Sequence, residues 1–154
     1  MTEFTTLLSD LVLVESPRWH DGRLIFSDWG AGEVLAVGLD GQREMITRID
    51  AIPFCLDHLP DGRLLVVAGD QLLVRAPDGT LNTYAELGAL STKPWNDIVS
   101  DGRGNAYVNN IGFDFPEGEF APGLIALVSA DGTARQVAED LAFPNGMAIT
   151  PDNS

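Results

Sequence analysis

The chain has 154 residues, 45% of them hydrophobic, and a formal charge of −14 with a pI near 4.2. That is one domain's worth of chain, too apolar for disorder, and acidic enough to argue against nucleic acid or an anionic membrane as partner. Cys55 is the single cysteine, so no internal disulfide forms. Met1-Thr2-Glu3-Phe4 lacks the basic patch and apolar run of a signal peptide. No apolar segment is long enough to span a bilayer, and a cytoplasmic location is expected.

Residues 7–14 read as an apolar strand interrupted by Ser9-Asp10. Glu15-Ser16-Pro17-Arg18-Trp19-His20 then runs into the turn Asp21-Gly22-Arg23, and residues 24–28 leave it as a strand. Residues 34–37 form a third run, which Asp40-Gly41 turns into residues 43–48. Asp-Gly between apolar runs is a strong hairpin signal. The pattern repeats through residues 54–59, the turn Asp61-Gly62-Arg63, and residues 64–67 and 72–74. Asp78-Gly79 and residues 81–85 complete that round. A third round starts at Asn96, turns at residues 101–104, and continues through residues 105–108 and 124–128. It closes with Asp131-Gly132 and residues 134–137, and a fourth opens at residues 144–150. Gly22, Gly62 and Gly104 recur roughly 40 residues apart. The one longer step is taken up by residues 113–123, rich in Pro, Gly and Glu.

Four short hairpin-connected strands per unit predict an all-β fold, a β-propeller, with a β-sandwich as the alternative. The units fall at 15–50, 54–86 and 96–139, with 145–154 starting the next: about three blades plus the first strand of a fourth. An arc of this kind leaves a blade face bare and a sheet edge unpaired. The chain is therefore expected to be the N-terminal part of a longer propeller, with strand 7–14 closing its last blade. Self-association of the isolated chain is expected to compete with any monomer.

Counting back seven or eight positions from each first-turn glycine gives Glu15, Cys55 and Asn96, and the same count in the fourth unit gives Asn145. First strands line the channel of a propeller. One carboxylate and two carboxamides converging there are oxygen ligands suited to a hard divalent cation, calcium first, with magnesium, manganese or zinc as alternatives. Each residue also has a plain structural reading: Glu15 as an exposed acid, Asn145 as a turn residue, and Asn96-Asp97 as a cap. Cys55 reads as a small buried hydrophobe. His20 and His58 have no motif-like serine context, and no Gly-x-Ser-x-Gly elbow occurs, which argues against a serine hydrolase. Trp19 and Trp95 read as packing residues, with Trp95 also able to wall a substrate site.

Glu15-Ser16-Pro17-Arg18-Trp19, Trp95-Asn96-Asp97 and Pro144-Asn145-Gly146-Met147 resemble, in order and spacing, three motifs of the gluconolactonase and senescence marker protein (regucalcin-like) family. The resemblance covers nearly all of this chain and the first half of a family member. It implies a six-bladed propeller with one divalent cation in its channel and hydrolysis of sugar lactones. It makes Glu15 and Asn145 direct metal ligands and puts Asn96 at the metal or against substrate. Asp114 falls near the family's substrate-contacting carboxylate. The remaining ligand, an Asp that is also the suspected general base, belongs to a later blade and is expected beyond Ser154, so no catalytic residue is assigned here. Sugar-binding members place Arg two residues before the motif Asn, where this chain has Pro94; Lys93 replaces it only in part, lacking the guanidinium fork. That departure bears on an aldonolactone substrate more than on lactonase chemistry. The expected function is metal-dependent lactone hydrolysis. The alternatives are a non-catalytic calcium-binding or protein-binding propeller, or an inactive fragment.

Overall fold

The computed structural model describes residues 4–150 and Asp152. The reading of the first residues as no signal peptide, and the end of unit 145–154, lie partly outside them. Twelve strands form three four-stranded antiparallel sheets, each taken in chain order. The first holds β1 (Val14–His20), β2 (Arg23–Asp28), β3 (Glu33–Gly38) and β4 (Arg43–Arg48). The second holds β5 (Phe54–His58), β6 (Leu64–Ala68), β7 (Gln71–Arg75) and β8 (Leu81–Glu86). The third holds β9 (Trp95–Ser100), β10 (Ala106–Asn110), β11 (Gly123–Val128) and β12 (Ala134–Leu141). β5 packs against both β1 and β9, so the first strands converge and the sheets are three consecutive propeller blades.

One local device makes most of the tight turns. In Asp40, Asp61, Asp78, Asp101 and Asp131 the carboxylate accepts the N–H two residues on. The glycine that closes each turn has φ between 76° and 91°, a left-handed conformation that costs glycine nothing. These hydrogen bonds, and for Asp78 first the Thr80 hydroxyl, hold the carboxyls of Asp61, Asp78 and Asp131 below the usual carboxylate range.

The middle blade is buried on both faces, which is why β6 reads as an unbroken apolar run rather than an alternation. Leu56 and Val66 join Val34, Ala36 and Phe54 in the core between the first two blades. Leu65 and Val67 face the other way and join Cys55, Trp95, Ile98 and Val108 in the core between the second and third.

The expected strand over residues 7–14 is not formed before Val14. Asp10 takes φ 62°, which breaks an extended run. The segment is held instead by side chains: Leu8 and Leu11 pack on Phe26, Leu35 and Val37 of the first blade. The buried Asp28 carboxylate accepts the N–H groups of Val12 and Leu13, each at 3.0 Å, and of Ala31 at 3.3 Å. Burial pushes that carboxyl up, but the backbone donors outweigh it and hold it low. Residues 147–150 likewise form no strand among the described residues, since no neighbouring strand is there to pair with them. Trp19, expected to pack, is 58% exposed. Its cross-strand partner is Leu24, and paired residues share a face, so the indole stands on the outward face of the first blade.

Candidate metal and substrate site

Strand direction sorts the chain into two rims. β1, β5 and β9 all start at the same rim, which also receives residues 49–53, 87–94, 111–122 and the stretch after β12. Glu15, Cys55 and Asn96 stand near these starts. The Asp-Gly turns and His20 and His58 lie at the opposite rim.

Near the centre stands an ionic cluster. In β1 the ladder slips between Glu15 and Arg18, because Ser16 takes φ 50° and Pro17 has no N–H to donate. A bulge of this kind re-aims the side chains beyond it. Arg18 Nε lies 3.4 Å from Asp57 Oδ1, and its Nη2 lies 3.1 Å from Asp97 Oδ1. The same Nη2 donates to the Ile98 carbonyl at 2.6 Å. One arginine from the first blade thus engages carboxylates of the second and third. Asp57 also accepts the N–H groups of His58 at 2.9 Å and Ser100 at 2.7 Å. Burial dominates and still raises its carboxyl above the ordinary value. Cys55 is wholly buried, and burial together with the Asp97 charge pushes its thiol well up, the opposite of what a nucleophile needs.

The Asn96-Asp97 pair does not cap a local turn; it binds chain some fifty residues away. Asn96 Nδ2 donates to the Pro144 carbonyl at 3.4 Å, and Asp97 Oδ2 accepts the Met147 N–H at 3.0 Å. Asp97's own N–H, at a slip in the β9–β10 ladder, donates to Asn109 Oδ1 at 3.0 Å. Asn110 clamps the approach to β9: its Nδ2 donates to the Lys93 carbonyl at 2.6 Å, and its Oδ1 accepts the Gly112 N–H at 2.9 Å.

The candidate ligands are therefore joined in part. Asn96 is brought to the Pro144-Asn145 turn, whereas among the described residues no hydrogen bond joins Glu15 to either asparagine. Glu15 is exposed and borders a groove with Leu7, Leu11, Pro17 and Phe26. Asn145 Oδ1 accepts the Gly146 N–H at 2.9 Å, the turn role that its sequence allows. Among the described residues no group of three or more His, Cys, Asp or Glu is placed to hold a metal. The candidate donors are one carboxylate and two amide oxygens, a chemistry that fits a hard cation rather than a nitrogen or sulfur zinc site.

Two candidate substrate residues share a cleft. Trp95 and Asp114 line a space of about 390 Å3 with Lys93, Pro94, Ile52 and Pro53. Lys93 Nζ and Asp114 Oδ2 form an ion pair at 2.7 Å. Trp95 is only 1% exposed, and its indole Nε1 is buried with no acceptor among the described residues.

Residues 13–154 match the model of the SMP-30/gluconolactonase/LRE-like region. The chain belongs to this family. No curated protein sequence matches this member. Among solved structures, a gluconolactonase from Xanthomonas campestris superposes with a TM-score of 0.80 at 22% identity, covering 96% of this chain and 54% of that one. A calcium-binding protein, regucalcin, from Agrobacterium tumefaciens does so with a TM-score of 0.73 at 22% identity, covering 94% and 49%. A virginiamycin B lyase from Staphylococcus aureus, with a TM-score of 0.67 and 14% identity over 91% and 46%, has the same fold. The SMP-30/gluconolactonase member thus spans about half the length of the solved structures it matches. At these identities the likeness is one of fold.

Sequence reasoning named Glu15, Asn96, Asn145, Trp95 and Asp114, and missed the roles of Arg18, Asp57, Asp97 and Asn110. A signal was there to find: Asp57 and Asp97 interrupt apolar strands, and a carboxylate so placed is almost never buried without a partner.

Proposed function

We propose that the complete protein hydrolyses lactones or related small cyclic esters with the help of one divalent cation, calcium first. Glu15, Asn96 and Asn145 are the residues that would hold the cation. The observation that carries the reading is the bond from Asn96 Nδ2 to the Pro144 carbonyl. It unites two of the three family motifs, and it engages the Asn96 amide through nitrogen, leaving its oxygen as the acceptor. Asp97 reinforces that union through the Met147 N–H.

Bound there, a cation would polarise a lactone carbonyl and lower the pKa of a coordinated water. The chain's own part is to position the donors, through Asn96 on the Pro144 carbonyl and Asp97 on the Met147 N–H. Asp57 and Asp97 are engaged by Arg18 and by backbone N–H groups, and neither is assigned the role of general base. The proton acceptor in this proposal is an aspartate from a further part of the protein.

The test is calorimetric titration of the complete protein with Ca²⁺, Mg²⁺, Mn²⁺ and Zn²⁺, alongside lactone hydrolysis with and without each metal. Glu15→Gln removes the charged donor and is expected to weaken binding by an order of magnitude or more. Unchanged affinity in that variant overturns the site. Tight calcium binding with no turnover of any lactone would favour a non-catalytic calcium-binding propeller instead.

A further inference from the structure

Residues 111–122, between β10 and β11, form the longest strand connection among the described residues. Phe113 stands at the centre of an aromatic cluster, with its ring centroid 6.4 Å from Phe115, 5.8 Å from Phe120 and 5.8 Å from Phe143. Phe115 and Phe143 meet edge to face at 5.3 Å, a favourable aromatic geometry. Even so, Phe115 remains 50% and Phe120 64% exposed.

The loop is pinned beside the candidate site. A Cβ on Gly112 would lie 2.3 Å from the Pro122 carbonyl oxygen, so the two ends of the loop close on each other there. A Cβ on Gly123 would lie 1.9 Å from the Asn110 carbonyl oxygen and 3.0 Å from Pro144 Cδ, so the loop's exit lies against Pro144. Phe143, a member of the cluster, directly precedes Pro144, whose carbonyl holds Asn96. The aromatic surface and the candidate ligands are therefore continuous along the chain and in contact through Pro144.

The charged side chains beside the motif are engaged with each other rather than open to a sugar, with Asp70 and Thr92 the other polar side chains lining the cleft. Lys93 and Asp114 neutralise each other at 2.7 Å, and Pro94 offers no donor. Across the cleft Ile52 is 69% exposed. A ring carrying many hydroxyls would meet here a charged pair already engaged with itself. An alkyl or aryl group would instead cover apolar surface that is now open to solvent.

We infer that Phe113, Phe115, Phe120 and Phe143 form an apolar subsite, and that the substrate is a cyclic ester carrying an alkyl or aryl substituent rather than a polyhydroxylated lactone. This specificity rests on the lactone reading above, and the two are separated by measuring binding as well as turnover. With the complete protein, kcat/KM is measured over a homologous series of alkyl γ-lactones and over gluconolactone. The affinity of the matching non-hydrolysed alkyl γ-lactams is measured by calorimetry. Both quantities are expected to rise about two- to fourfold per added methylene. Phe115→Ala with Phe120→Ala is expected to flatten both slopes. The single substitution Phe120→Ser, at the more exposed ring, is expected to do so in part, and it serves should the double variant not fold.

A preference for gluconolactone, or chain-length slopes that survive in the variants, overturns the subsite. So does a variant that melts earlier with unchanged slopes, since the rings would then be packing residues for another part of the protein. Lactam affinity that tightens with chain length in a protein hydrolysing no lactone keeps the apolar subsite and defeats the lactone reading. Lactam affinity indifferent to chain length defeats the subsite whatever the turnover.

Discussion

Acid is expected to weaken the joint between the first and second blades through His58. His20 and His58 stack face to face with ring centroids 3.9 Å apart and planes 6° from parallel. His20 Nε2 lies 3.5 Å from Asp21 Oδ2. Burial first, then the facing His20, lowers His58 to about 4 from an ordinary 6.5, with Asp21 opposing and Arg18 assisting. A depressed histidine means that the folded state binds fewer protons than the unfolded chain between those values. His58 therefore carries no cost above pH 6.5. Stability is lost as the pH falls from 6.5 towards 4, and no more is lost from this group below that.

The fall from 6.5 to about 4 corresponds to about 3 kcal/mol at most. Solvent reaches the half-buried pair, which reduces the expected loss to about 1–2 kcal/mol. Because the chain has two histidines, nuclear magnetic resonance can follow both ring protons through a titration. One of them is expected to titrate near 4. Denaturant midpoints measured across the same range should fall, and His58→Phe, which keeps a stacked ring but removes the proton site, should flatten that part of the curve. Asp28 and the turn aspartates also lose stability in acid, at lower pH, so the quantity compared is wild type minus variant. A His58 that titrates near its ordinary value, or equal slopes in both proteins, would refute the reasoning.

Two further outcomes follow from buried polar groups. Arg18→Met leaves Asp57 and Asp97 facing each other without a cation and should cost about 3 kcal/mol, read from denaturant midpoints. Arg18→Lys should recover part of that loss, and a variant as stable as the parent would show the cluster to be inert. Asp28→Ala removes the acceptor for three backbone N–H groups and should cost about 2–3 kcal/mol. Amide exchange at Val12 and Leu13 should accelerate strongly; unchanged protection there would mean that Leu8 and Leu11 alone hold the segment.

The blades were legible because their signals are local. Each Asp-Gly turn satisfies itself within a few residues, and the apolar runs between turns need no distant partner to be recognised. The place of Glu15, Cys55 and Asn96 near the starts of their blades' first strands was legible for the same reason, being a fixed distance from a turn glycine. Residues 7–13 misled because an apolar run looks alike whether it pairs by backbone or, as here, rests on Phe26 and Val37 by side chains. Trp19 misled because the bulge at Ser16-Pro17, which spacing alone does not reveal, fixes which face it takes. Arg18 gave no hint of its partners, since Asp97 is 79 positions away and no periodicity reports so long a contact. The phenylalanine cluster was obscured by the Pro, Gly and Glu around it, and residues 113–123 read equally as a lid over the channel mouth, contributing specificity, or as a plain surface insertion.

The Arg18 cluster also limits the order in which this sequence can drift. One guanidinium faces two carboxylates, with side chains 22%, 15% and 10% exposed for Arg18, Asp57 and Asp97. Losing the arginine first strands two like charges in the interior, so that path passes through a poorly folded intermediate. Losing an acid first leaves a balanced pair, although either loss also releases backbone N–H groups, those of His58 and Ser100 for Asp57 and that of Met147 for Asp97. In an acid-first lineage, shedding Arg18 afterwards still leaves one buried carboxylate without its cation, a smaller loss than stranding two. Descendants are expected to keep all three residues, or to have lost one of the acids before Arg18, and the three positions should not vary independently of one another.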